Sequence, residues 1–260
     1  MKTTTTKFII LSLFFIVVSV KINAQTIKID TTEITFEDKL RPCLATEVDP
    51  LPNELLPAWI KFIKKNYSID LKNKGVFSSD NLLSAIDVTS ISITNKRFNL
   101  YTRITEIPSG SFMNVFASFG YDIFIGPKNY PKEFKSLATI LFNFLNEELN
   151  TFYTKKSSEI IQEISALNKS KIAEIKLIDK NKIKISDLDG SIAKLESLNK
   201  SNGQRDSKME EKLNNEKAKK THLENENRQS ELLVQNMETK IASLQESLQR
   251  IKMKHEGLKK

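Results

Sequence analysis

Cysteine, histidine, glycine and proline are all scarce in this chain, and each shortage removes a class of function. A single cysteine, Cys43, rules out a disulfide within the chain. The two histidines, His222 and His255, lie far from Cys43 in sequence, which argues against a Cys–His nucleophile and against a zinc site. With only 7 glycines and 7 prolines in 260 residues, collagen-like and low-complexity classes are excluded. No Gly-rich phosphate loop, paired-carboxylate motif or nucleophile elbow occurs. The sequence therefore assigns no catalytic, cofactor-binding or metal-binding residue. An enzyme with a cryptic site in the N-terminal half is the least favoured of three functional readings.

Long apolar runs are also missing. The longest opens the chain, where residues 8–20 are uncharged and almost wholly apolar behind the basic Lys2 and Lys7. Its length falls short of the roughly 20 residues that a membrane-spanning helix needs. Ile22-Asn23-Ala24 supplies a cleavage signal, so residues 1–24 read as a signal peptide. The mature chain then begins near Gln25, is exported to the periplasm or beyond, and keeps no stable membrane span. Cleavage removes three lysines from a formal charge of +8 and leaves 37 basic against 32 acidic residues. An excess of that size on a lysine-rich helix reads as a solvated face. Arg97, Arg103, Lys128 and Lys132 sit among aromatics, as in single-strand binders. An exported chain rarely meets that ligand, so no nucleic-acid partner is expected.

Residues 25–150 read as a small α/β domain. Ile27, Ile29, Ile34 and Phe36 alternate and predict an opening strand over 26–36. Leu55, Leu56, Trp59, Phe62 and Ile63 recur at helical spacing, which predicts a helix over 53–67 with Trp59 buried. Strands follow at 68–77, at 85–93 with a bulge, around Phe98–Ile104, and along an aromatic run at 112–125 that Gly120 bends. In that run, Phe112, Phe116, Phe119, Tyr121 and Phe124 read as sheet core. Pro131 opens a helix with the stripe Phe134, Leu137, Leu141 and Phe144, and no breaker ends it. The expected order is β-α-β-β-β-β-α, an α+β fold with one antiparallel sheet and helices on one face. Cys43 is expected to be buried.

Residues 151–260 carry the strongest pattern. Heptads in a single register run from Ile164 to Leu258, and 17 of the 28 a and d sites are Ile, Leu, Val or Met. The interaction seam comprises Ile178, Ile185, Leu188, Ile192, Leu195, Leu213, Leu223, Val234, Met237, Ile241, Leu244, Leu248 and Ile251. Such a seam cannot be buried by one isolated helix and must find a partner helix. Asn181, Asn199 and Asn227 interrupt it with polar sites that set register or merely weaken it. Two architectures fit. The register survives a polar stretch at 199–206, as in a continuous coiled coil of roughly 140 Å. The turn chemistry of Ser201-Asn202-Gly203 and the near-equal halves suit an antiparallel hairpin.

Several segments carry a resemblance: Lys39-Leu40-Arg41-Pro42, Trp59 to Tyr67, Phe112 to Ile123, and Tyr130-Pro131-Lys132-Glu133-Phe134. Over residues 25–200 the chain resembles a group of uncharacterised secreted bacterial proteins with a signal peptide, a small α/β domain and a Lys/Glu-rich coiled-coil tail. The resemblance implies that layout and no activity. The expected function is an exported envelope structural or adaptor protein, acting through coiled-coil self-association as a homo-oligomer or by binding another envelope protein. A periplasmic holdase-type chaperone is the alternative. The leader makes a direct prediction: the exported product weighed intact should begin near Gln25, and a product retaining Met1 would refute cleavage.

Overall fold

The computed structural model describes residues 27–73, 82–201 and 207–258. The predicted leader, the turn that Ser78-Ser79-Asp80-Asn81 predicts and the expected reversal at 202–203 lie outside the described residues. Two strands open the fold, β1 (Asp30–Phe36) and β2 (Lys39–Val48), followed by α1 (Pro52–Tyr67) and the short β3 (Lys72–Asn73). Three longer strands come next: β4 (Leu82–Ser90), β5 (Thr94–Ile107) and β6 (Gly110–Ser118). The helices α2 (Pro131–Ser201) and α3 (Ser207–Gly257) complete the chain. All strand pairs are antiparallel, in the order β1-β2-β6-β5-β4-β3. The fold is therefore α+β.

Strand β2 is a correction to the expected order. Pro42 disguised it, because proline lacks a ladder donor and is avoided in central strands. The structure accommodates it where β2 has parted from β6: their pairing begins only at Leu44, while Pro42 faces Glu33 of β1. Glu37 and Asp38 form the tight turn between β1 and β2, both with positive φ, as a type I′ turn requires. The expected strand over 68–77 shrinks to Lys72–Asn73 among the described residues. The bulge falls between Ala85 and Ser90, with Asp87 at positive φ, slightly before the change of apolar parity between Val88 and Ile91 that predicts it. The aromatic strand ends at Ser118 rather than continuing to Ile125.

The two sheet faces differ. One carries Leu44, Val48, Leu83, Leu100, Ile104, Met113 and Val115, and packs against Leu55, Trp59 and Ile63 of α1 and Phe134, Leu141, Phe144 and Leu145 of α2. Trp59 is only 1% exposed and stands edge-on to Phe144 at 4.8 Å. Its Nε1–H donates to Thr102 Oγ1 at 2.9 Å, so the indole's one polar group is satisfied in the core. The other face holds a smaller cluster without helical residues: Ile34, Phe36, Cys43, Leu82, Tyr101, Phe116 and Phe124. Cys43 is fully buried there, and its thiol is pushed up to about 11 by burial and by Glu33.

The sheet-packing helix does continue into the stalk: α2 runs unbroken through residue 150 for 71 residues. Of the two architectures, the single chain shows the hairpin. Helix α3 runs back antiparallel beside α2, and cross-helix pairs such as Glu163–Lys240, Lys171–Glu238 and Glu196–Lys217 join the two along their length. None of the described helices is long and apolar enough to cross a membrane.

The Trp59–Thr102 bond predicts a measurable cost. Thr102→Val keeps the side chain's shape but strands a buried indole N–H, so it should destabilise the fold by about 1–3 kcal/mol. Denaturant melts followed by Trp59 emission should show a lowered midpoint at unchanged slope. An unaltered midpoint would deny the bond any role in stability.

Candidate interaction surface: the helical hairpin and its footing

The heptad positions are the protected positions of the hairpin. Every described a and d residue from Ile164 to Leu258 is buried or half-buried. Ile178, Ile192 and Ile241 are buried; Ile185, Leu188, Leu195, Leu213, Leu223, Val234, Met237, Leu244, Leu248 and Ile251 are half-buried. The seam read from sequence is thus covered from within the chain, by α2 on α3. A pair of helices leaves both flanks of such a seam open, which is why most of these side chains stay half-buried.

Polar residues occupy the middle of the seam. Asn181 is 1% exposed and Asn227 7%, and the antiparallel register sets them at one level. Asn181 Nδ2–H donates to Glu226 Oε2 at 3.3 Å, whereas the buried Asn227 Oδ1 has no hydrogen-bond partner among the described residues. Ser230, also buried, lies one turn away. Ion pairs flank the seam. Lys217 holds the Glu196 carboxyl below its usual range through a 2.7 Å hydrogen bond, and Asp189 raises Lys220. Such exposed pairs add little to stability, because solvent and salt screen them. They fix alignment more than stability, which burial of the apolar seam residues supplies.

The hairpin stands on a polar footing that the sequence did not reveal. Asp49, just after β2, uses one oxygen twice: Tyr153 Oη–H donates to Oδ2 at 2.9 Å and Lys254 Nζ pairs with it at 2.6 Å. Tyr153 is fully buried at the base of the α2 arm, and burial followed by the Asp49 carboxylate drives its phenol pKa upward. Beside it, His255 Nε2 lies 2.9 Å from Asn150 Oδ1, and Ile251 and Leu258 pack on the main core. Gly110 completes the joint. A Cβ there would stand 2.1 Å from the Val48 carbonyl oxygen, so only glycine lets the β5–β6 turn approach the Asp49 segment.

Two other surfaces stand out. Gly120, Tyr121 and Asp122 all have positive φ. Lys39 and Arg41 both bind the Asp122 carboxylate and hold it below the usual range, and Arg41 lies 4.2 Å over the Phe124 ring. This pins a loop on which Tyr121 is 100% exposed, contrary to its expected place in the core. Between α1 and α2 lies a groove of about 430 Å³, floored by Phe62 and Phe144 and edged by Glu54, Glu147, Glu148, Lys61 and Lys65. Among the described residues no group of three or more His, Cys, Asp and Glu gathers as a metal site.

Two expected outcomes follow from this geometry. Leu244→Asp, at a half-buried seam position, should destabilise the arm measurably, by less than the roughly 1.5–3 kcal/mol that full burial of such a side chain is worth, while Ser243→Asp on the exposed face should be nearly silent. Equal melting of the two variants by circular dichroism would contradict the seam. The second concerns Glu148, whose carboxyl is raised by burial and then by Glu147 and Glu54. A raised carboxyl favours folding while protonated, and that contribution is lost as pH climbs from the unfolded to the folded pKa. Glu148→Gln should therefore melt higher than the parent at pH 7, with the gap closing below about pH 4. Identical melting at pH 7 would show no penalty on the ionised form. Comparison with known protein families, curated proteins and solved structures finds no match for this chain.

Proposed function

We propose that this chain is an exported structural or adaptor protein of the cell envelope, with the α+β body as its base and the hairpin as a projecting coiled-coil arm. What supports the reading is the footing at Asp49, which ties both ends of the arm to the sheet. A merely space-filling pair of helices has no need of such a joint. The arm extends about 70 Å beyond Tyr153 at 1.5 Å per residue. Its outer surface presents Ile172, Ile175, Ile183, Leu232 and Leu233, each at least 39% exposed, to whatever the arm meets. These give an envelope partner apolar purchase on an otherwise charged surface.

Photo-crosslinking in the native envelope tests the assignment. A photoreactive residue at Ile172, Ile183 or Leu232 should capture a small, reproducible set of envelope proteins. Probes on the exposed charged positions Lys194 and Glu211 should capture few. Equal yields at all positions, or capture only from the body, would refute an adaptor arm.

The same exposed aliphatic residues favour one second reading, a periplasmic holdase-type chaperone that shields unfolded chains with its arm. Suppression of outer-membrane protein aggregation by the purified chain at equal molar ratio would establish that reading and displace the adaptor. The adaptor reading expects no suppression.

A further inference from the structure

The two helices of the arm share one heptad frame. Ile192 of α2 and Ile241 of α3 are both a residues and stand 49 residues apart, seven whole heptads. A hairpin does not require this, because a reversal of the chain lets the returning helix take any phase. A continuous pair of helices does require it, since a change of phase would swing the second half of the seam off the partner.

The contacts of the hairpin can also be exchanged. Glu163–Lys240, Asn181–Glu226, Asp189–Lys220 and Glu196–Lys217 each join α2 to α3. The footing likewise joins the end of α3 to Asp49 and Asn150. Every one of them could be made just as well between α2 of one copy and α3 of another. The seam's weak middle lowers the cost of parting the helices, because buried Asn181, Asn227 and Ser230 stand where aliphatic side chains would hold them.

We propose that α3 exchanges between two copies of this chain. In the dimer, α2 and α3 of each copy lie end to end along one axis, and α2 of one copy pairs antiparallel with α3 of the other. Exchange of an identical element forfeits none of the contacts named above, which makes it a low-cost route to a dimer. The product is a rod with a body at each end. From Tyr153 to Lys254 it spans about 150 Å at 1.5 Å per residue, against about 70 Å for the hairpin arm of one copy. The biological use of that rod rests on the adaptor reading, as a spacer between two docked bodies; its existence does not.

Light scattering on the purified full-length chain should give twice the monomer mass. Cysteines at Glu196 and Lys217, whose side chains meet at 2.7 Å, placed in a Cys43→Ala background and joined by a short thiol crosslinker, should then give a covalent dimer after denaturation. A second pair at Glu163 and Lys240, also at 2.7 Å, guards against local damage by the first. Inserting Gly-Pro between Ser201 and Ser207 should convert the dimer to monomer with helix content retained, because proline bars a continuous helix but not a reversal. A monomer at every concentration overturns the exchange. So does a dimer whose cross-links stay within one chain, since the copies would then meet through another surface. The envelope cross-links are read independently, so loss of either result leaves the other standing.

Discussion

One carboxylate decides how the two parts of this molecule relate. Asp49 follows the last residue of β2, accepts a hydrogen bond from the buried Tyr153 hydroxyl of α2 and pairs with Lys254 at the far end of the chain. Removing the carboxylate would strand a phenol in an apolar base and release the last turns of α3. The glycine at position 110 belongs to the same joint, since any side chain would push the β5–β6 turn away from the Asp49 segment. The arm is thus footed on a junction of strand end, turn and two helices, so its direction follows from the sheet.

The arm itself is balanced between apolar contact and polar interruption. Its aliphatic seam drives pairing, while the buried asparagines and serine at its centre weaken it and penalise slipped registers, in which they would face aliphatic side chains. The flanking ion pairs are exposed and add little to stability, yet a slip of α3 by one turn would set Asp189 against Glu216 or Glu224 in place of Lys220. The pairing is specified more strictly than it is stabilised.

Much of this was legible in the sequence, for identifiable reasons. Helical periodicity around Trp59 and along Phe134–Phe144 is local, and both segments proved to be core helices. The heptad frame is also local in character, and every described seam position proved protected. What escaped reading was set by tertiary contact. Strand β2 was hidden because Pro42 breaks the local signal, and only the divergence of β2 from β6 makes it tolerable. Tyr121 looked like one more aromatic of a core strand, but Gly120 and the Lys39–Asp122–Arg41 contacts turn the chain outward there. The Asp49 footing joins residues more than 100 positions apart, with nothing local to announce it. The choice between hairpin and continuous helix could not be read because both satisfy one periodicity.

The unbroken course of α2 from sheet to arm tip makes the molecule a lever. Its first turns are locked against β-sheet residues and its last lie about 70 Å beyond the footing at 1.5 Å per residue. A tilt of about 5° at the base then moves the tip by about 6 Å, on the order of one helical turn. Small strains imposed on the body would be amplified into ångström-scale sweeps at the far end, and a load on the tip would be felt at Tyr153 and Asp49 as torque.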